Sequence, residues 1–425
     1  MSHTYRSTIY ACYRGYIVQA AVVNLAPLLF VIFQQQFDLS LSMIGNLIFL
    51  NFGTQLAVDA IAVRFVDKIG YRTCMVSAHF LCAAGLVALG LLPGLMEPYA
   101  GLCTAVFLYA VGGGLIEVVI SPIVDLVPGD NKASAMSLLH SFYCWGQVLV
   151  VLLSTVFLSV FGHGMWVILP VLWAILPVYN GIRFMQVPLP APVETHEKIP
   201  VRKLLVSKIF MIAMLTMLCA GAAEQAMSQW SSLFAERALG VSKVMGDLLG
   251  PCLFAVFMGI GRTIYGLRGK QINLTSALLA CSILCAGSYL IVSLTRLPLL
   301  SLMGCAVCGF AVSLLWPGML SYSAKCYPKG GTAMFGILAI CGDLGCSVGP
   351  WMTGLVSENA QSSGILNWDI LSGFSPEQAG LKIGLLSAII FPAVMTIGIL
   401  IMKRLRRTER GRTAAADTAS ESGTK

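Results

Sequence analysis

Apolar run follows apolar run along this chain, each about 20 residues long or more, the length at which a helix crosses the hydrocarbon of a bilayer. Twelve such windows can be placed, at 12–33, 42–63, 73–94, 99–126, 134–161, 164–186, 208–235, 245–266, 273–294, 297–324, 331–356 and 380–402. A segment in lipid must satisfy its own backbone hydrogen bonds, and windows of this length are helices rather than barrel strands. The longer ones must tilt or protrude. Charged residues make up only 11% of the chain, against about 25% in soluble domains, so there is too little polar surface to clothe a soluble fold. The 42 glycines suit helices that pack closely in lipid. The expected fold class is an all-α membrane protein.

The longest interior polar stretch, 187–207, holds four prolines and five charges and divides the helices six and six. It predicts an N-terminal bundle over 1–186, a central loop over 187–207, a C-terminal bundle over 208–402 and a disordered basic tail over 403–425. The net charge of +8 suggests nucleic acid only if its distribution is ignored. Most of the 27 basic residues fall on the side that carries both termini, in Arg6 and Arg14, in Arg64 to Arg72, in the central loop and in the tail from Lys403 to Arg412. The opposite gaps hold only Arg237, Lys243, Arg296 and Lys382. The positive-inside rule then places both termini in the cytoplasm. The first apolar run is full length and has no small-residue cleavage site behind a short core, so it reads as a retained helix. A multi-pass monomer of a bacterial inner membrane is expected, with the lipid bilayer as partner and no nucleic acid. Most of the fourteen cysteines sit inside apolar runs without CxxC or Cys/His spacing, and read as small core residues.

One stretch carries a charge into lipid. Gly112 to Pro128 reads GGGLIEVVISPIVDLVP, with Glu117 in its middle. A charge at the bilayer centre costs roughly 2.5 to 3.5 kcal/mol even on insertion scales, so it belongs in a cavity or beside a partner. Three glycines before it admit a neighbouring backbone, and Pro122 removes a helix hydrogen bond just beyond. Helical spacing puts Ser121 and Asp125 on the Glu117 stripe.

The gap after the second window, Val63 to Arg72, reads VRFVDKIGYR. It resembles the signature turn of the major facilitator superfamily through Asp67, Lys68, Gly70 and Arg72, with Val63 in place of the first glycine. The resemblance implies twelve helices in two pseudo-symmetric six-helix bundles, and a latch at this turn that acts through charge and helix dipole. Four further places are similar to the fucose-permease-like and sodium–glucose-transporter-like branch. They are Glu117 with Pro122 and Pro128; Gly221 to Trp230, containing Glu224; Trp316-Pro317 through Ser321 to Lys325; and the FQQQF that ends the first window. Aligned on those glutamines, Pro27 stands where the proton-coupled permease has an acid, and Asn24 keeps an amide nearby. Coupling would then use Glu117 or Glu224, or sodium, or be absent.

Other polar residues in apolar runs have two readings each. Glu117 is a coupling acid that also bonds sugar hydroxyls, or a structural acid paired with another helix. Glu224, Gln225, Ser228, Gln229 and Trp230 crowd one helix, where amides and a carboxylate beside an indole suit a hydroxyl-rich ring; the alternative is interhelical bonding. His140, Tyr143 and Gln147 share a stripe, with Gln147 the deeper ligand and His140 as readily a packing residue. Asp343 is a second coupling acid or neutralises a base. Trp316 belongs with the site by resemblance. Asp59 and Arg262 occupy roughly equivalent places in the two halves and read as gate or latch charges. No metal spacing is present, and no cofactor is expected beyond a coupling proton or sodium ion.

The chain lacks GxSxG, HExxH and P-loop patterns, which argues against an enzyme. The leading expectation is cation-coupled uptake of a small polyhydroxylated solute, a monosaccharide in the first place, by alternating access. Exporters of the superfamily that the chain resembles often carry a glycine-rich motif with a proline in the fifth helix; here that window has one glycine, Gly146, and no proline, which lowers the reading as an exporter of drugs or metabolites. A solute sensor that keeps the same pocket is the third alternative.

Overall fold

The computed structural model of the chain describes residues 5–127, 132–190, 201–268, 272–327, 331–361 and 373–422. Residues 191–200 of the central loop and Pro128 therefore lie outside the described residues, as do the side chains of Asp67, Lys68 and Asp125. Each of the twelve apolar windows is found in helix. The first five are α1 (Arg6–Phe37), α2 (Leu41–Ile69), α3 (Tyr71–Leu95), α4 (Pro98–Leu126) and α5 (Lys132–Phe161). They are followed by α6 (His163–Gln186). The second six are α7 (Lys208–Arg237), α8 (Lys243–Tyr265), α9 (Leu274–Leu294), α10 (Pro298–Cys326), α11 (Gly331–Gln361) and α12, whose spanning part is Pro376–Arg406. Eleven of these are long and apolar enough to cross a membrane. The other, α11, carries Asp343 and a run of glycines that lower its hydropathy, as befits a helix with polar work in the interior.

Breaks within the spanning helices follow the prolines. Turns interrupt α6 at Ala174, α10 at Ser313 and Leu314, and α12 at Ala388 and Ile389, each three or four residues before Pro177, Pro317 or Pro392. A proline has no N–H to give the carbonyl four residues back and its ring crowds that carbonyl, so the helix yields there. The tail departs from expectation: the helix that begins at Ile390 runs on to Ser422, where composition predicts disorder. Propagation from a helix already formed in the membrane needs no new nucleus, and Arg, Lys and Ala are strong helix formers.

The helices form two six-helix halves around α1 and α7, the two most buried of the eleven apolar spans. The halves meet through α2 against α11, α5 against α8, and α1 against α7. Three consecutive glycines let α4 sit deep in its own half. Successive helix positions point about 100° apart, so each faces a different neighbour: Gly112 meets Ala78 and Cys82 of α3, Gly113 meets Gln19 of α1, and Gly114 meets Gln55 and Val58 of α2. A Cβ on any of them would lie within 3.1 Å of those atoms. All fourteen cysteines are free thiols, most of them buried.

Candidate functional site

An even number of crossings puts both termini on one side of the membrane, here the terminal side. On the far side the halves are fastened together. The Ser42 amide of α2 donates to Glu358 of α11 at 2.6 Å, and the Trp351 indole donates to Asn46 at 3.0 Å. Thr155 of α5 donates to Asp247 of α8 at 3.0 Å, where Lys243 and Ser232 also donate to the same carboxylate. Nearer the middle, Gln147 donates to Ser228 at 3.0 Å. This structure is closed on the far side.

Glu117 lies at mid-depth on α4 and is partly exposed within this interior. It is held by a chain of amides: Gln19 donates to Glu117 at 3.1 Å and to Gln55 at 2.8 Å, and Gln55 donates to Asn51 at 3.0 Å. Gln19 thereby serves α1, α2 and α4 at once, and its own carbonyl oxygen is buried without a partner. Neither Gln19 nor Asn51 is singled out by the sequence motifs, and Gln55 has no assigned role there. The signal that could have found them is an amide embedded in an apolar run, as in YIVQAAVVN and LNFGTQL. Ser121, one helical turn beyond Glu117, shares a hydrogen bond with Tyr16 at 3.3 Å. The edge of His140 meets the Tyr16 ring with centroids 5.2 Å apart, and its side chain is exposed. Asn24 donates to the Ala20 carbonyl at 2.9 Å and to the Tyr143 hydroxyl at 3.3 Å.

In the second half Glu224 takes both oxygens to one guanidinium nitrogen of Arg262, at 3.3 and 3.4 Å. Arg262 also reaches Cys144 of α5 across the boundary at 3.4 Å. Arg262 is paired with Glu224, while Asp59 is buried on α2 with its Oδ1 unpartnered. Gln229 donates to Gln225 at 3.2 Å, and both are buried. The expectation for Trp230 needs correction. Its ring is fully buried and its indole N–H donates to the Pro350 carbonyl at 2.9 Å, so it packs α7 onto α11 and offers no face to a solute. Trp316 is the partly exposed indole, laid against α11 where Gly342 leaves room for it. The resemblance pointed to two tryptophans, and burial separates their roles.

The signature turn is built as its residue types require. Gly70 joins α2 to α3 with φ 88°, a region that L side chains rarely adopt. Arg72 donates to the carbonyls of Phe184 at 2.9 Å, Met185 at 2.5 Å and Val187 at 3.0 Å. A cation thus sits on the unsatisfied carbonyls and negative dipole end of α6. His79, in α3, belongs to a separate buried network: its Nδ1 faces the Met75 carbonyl at 2.7 Å, and Asn180, which Arg14 also contacts, donates to its Nε2 at 2.8 Å.

Comparisons with known proteins agree with this architecture. Residues 15–350 match the family described as the Major Facilitator Superfamily. A bacterial homolog of the human lysosomal transporter Spinster, in an inward-facing and occupied conformation, superposes with a TM-score of 0.72 at 16% identity, covering 95% of this chain and 98% of that one. The nucleoside transporter NupG gives 0.71 at 11% identity over 93% and 98%. The fucose:proton symporter of E. coli gives 0.64 at 15% identity over 94% and 99%. No curated protein sequence matches the chain.

Proposed function

The chain belongs to the major facilitator superfamily, a family of membrane transporters rather than enzymes, and on that premise we propose that it takes up a small polyhydroxylated solute, a monosaccharide in the first place, by cation-coupled alternating access. The observation that carries this reading is Glu117: a partly exposed carboxylate at mid-membrane, oriented by Gln19 and backed by Gln55 and Asn51. A carboxyl group so placed can accept a proton and bond a hydroxyl, and the surrounding amides supply both donors and acceptors. The face of Trp316 is the further surface offered to the solute here, while the amides of Asn24, Gln147 and Gln225 are buried and bonded and reach it only as the halves move, and Glu224 is paired with Arg262. The likeness in fold to a fucose:proton symporter is in keeping with this.

With the basic side in the cytoplasm, both termini are cytoplasmic and the fastened far side is the outer one. The conformation is then closed toward the outside. Rocking of the halves about the interior would break the Thr155–Asp247, Ser42–Glu358 and Asn46–Trp351 contacts and open that outer path.

The test is uptake of labelled hexoses into proteoliposomes under separately imposed proton and sodium gradients. Glu117→Gln is expected to lose gradient-driven accumulation and to keep part of solute exchange. Undiminished uphill uptake by that variant removes Glu117 from coupling. Binding without movement of solute in the wild-type protein would make it a sensor and overturn the carrier reading.

A further inference from the structure

Gln19 uses one end of its amide twice and the other end not at all. Its Nε2 donates to Glu117 Oε2 at 3.1 Å and to Gln55 Oε1 at 2.8 Å, while its Oε1 is buried without a partner. That idle oxygen lies over Gly113 of α4, where a Cβ would stand 2.8 Å from it. Gln55 passes the pattern on: its Oε1 accepts from Gln19, and its Nε2 donates to Asn51 Oδ1 at 3.0 Å. All three amides are buried, at 3%, 3% and 4% exposure, so their hydrogen bonds must be made within the chain of amides.

The direction of that chain is set by Glu117. An ionised carboxylate only accepts, so Gln19 must show it the NH2 end; a protonated carboxyl must give its hydrogen to an acceptor. The two ends of a primary amide are nearly equal in size, and half a turn about the last side-chain torsion exchanges them without repacking. Turned over, Gln19 offers an oxygen with two lone pairs where it now offers a nitrogen with two hydrogens. That oxygen accepts from protonated Glu117 and from Gln55 Nε2, and Gln55 Oε1 then accepts from Asn51 Nδ2. Three hydrogen bonds run along the chain in either direction, so the proton on Glu117 decides between two arrangements that satisfy the same number of groups.

The other titratable groups around Glu117 stand outside this chain. Tyr16 of α1 is bonded to Ser121, and Tyr143 of α5 to Asn24. His140 of α5 rests its edge on Tyr16, and Cys82 of α3 donates to the Tyr109 carbonyl at 3.7 Å. Glu224 of α7 is paired with Arg262 of α8. Asp59 of α2 and Asp343 and Cys346 of α11 are the remaining buried groups that face it.

We propose that Gln19, Gln55 and Asn51 form a reversible hydrogen-bond relay, with Gln19 the positioning residue that reads the charge on Glu117. Protonation of Glu117 turns the three amides over together, and the reversal ends at Asn51, one turn of α2 nearer the far side than Gln55. Asn46, which accepts from Trp351 across the boundary, lies further along the same helix. The step moves one proton, from water to the carboxylate; the amides rotate and exchange no hydrogen. The relay rests on the reading of Glu117 as the coupling acid and adds the route by which its charge state reaches α2.

The test needs no solute, so failure of hexose uptake and failure of the relay are separate results. Protein with isotope-labelled side-chain nitrogens in asparagine and glutamine is reconstituted in liposomes and read by magic-angle-spinning NMR over a pH series. The Asn51 signal is assigned by its loss in Asn51→Leu, and the infrared carboxyl band of Glu117 by its loss in Glu117→Gln. In the wild-type protein the Asn51 signal is expected to shift between two positions with the same pH midpoint as the Glu117 band. Glu117→Gln should abolish that shift. Gln55→Met keeps an unbranched side chain and removes both bonds, so it should hold the Asn51 signal still while the Glu117 band continues to titrate. Asp59→Asn should leave the Asn51 response in place. Thermal unfolding establishes that the variants are folded, and should Gln55→Met fail, Gln19→Met breaks the chain one link earlier with the same expectations. A wild-type Asn51 signal that ignores pH while Glu117 titrates overturns the relay. So does a response that survives the broken chain, since the charge would then act through space. A response kept in Glu117→Gln and lost in Asp59→Asn puts the proton on Asp59 and overturns it as well. A Glu117 band that never titrates overturns the reading of Glu117 itself, and the relay with it.

Discussion

Thr155→Val should shift the balance between the two faces of the carrier without unfolding either half. Thr155 is 3% exposed and donates across the boundary to Asp247, which is fully buried. Valine has the same shape and lacks the hydroxyl, so what is lost is one hydrogen bond to a charged acceptor, worth about 1.5 to 3 kcal/mol. Asp247 keeps Lys243, at 3.1 Å, and Ser232. The carboxylate is not stranded, and the lower end, about 1.5 kcal/mol, applies. That corresponds to roughly a tenfold fall in the ratio of far-side-closed to far-side-open molecules. Hydrogen–deuterium exchange of the protein in nanodiscs reads this directly, because amides at the far-side ends of α5 and α8 exchange through the open state. Their protection should drop about tenfold. The adjacent Ser154 is the control: it accepts from Trp173 at 3.0 Å within the same half. Ser154→Ala should lower thermal stability and leave the exchange contrast between the two faces unchanged. A folded Thr155→Val variant with wild-type exchange at the far-side ends would refute the assignment of this bond as part of the outer closure.

Arg72→Ala removes three hydrogen bonds to the end of α6 and should lower stability by about 2 kcal/mol, read as a fall in Tm; Arg72→Lys should recover only part, because one ammonium cannot span carbonyls that a guanidinium fork reaches. Gly345→Ala drives a Cβ into the Leu218 carbonyl of α7 and should cost about 1 to 3 kcal/mol by overpacking, whereas Gly336→Ala, which meets nothing within 4 Å, should leave thermal unfolding unharmed. Trp230→Phe should cost about 1 kcal/mol of stability through the bond to Pro350 and spare solute affinity. Trp316→Ala should weaken solute binding in equilibrium dialysis and, because the indole packs beside Gly342 of α11, also lower Tm.

The twelve helices were legible because partition into lipid is decided window by window. The breaks in α6, α10 and α12 were not, since Pro27, Pro122 and Pro350 lie inside unbroken helices while Pro177, Pro317 and Pro392 follow turns. The turn at Gly70 and Arg72 was legible for a similar reason: its chemistry is local, a left-handed φ and a cation at a helix end. The site was legible only in part. Glu117 stood out because a carboxylate in an apolar run needs a reason to be there. Gln19 and Asn51 did not, since a single amide disturbs hydropathy little, and their importance comes from the helix rotations that bring them together. Trp230 and Trp316 look alike in sequence, yet one is sealed between α7 and α11 and the other is open.

The amino-acid sequence by itself determined that this chain is a bundle of membrane helices, roughly where each one lies along the chain, and that an acid lies among them. Tertiary structure decided which acids have partners: Glu224 with Arg262, and Asp247 with Lys243 and, across the boundary, Thr155. The division has a physical origin. Hydropathy and helix propensity act over one or a few turns of a single segment, whereas a pairing depends on how each helix is turned about its axis and on where the two halves stand at that moment of their motion.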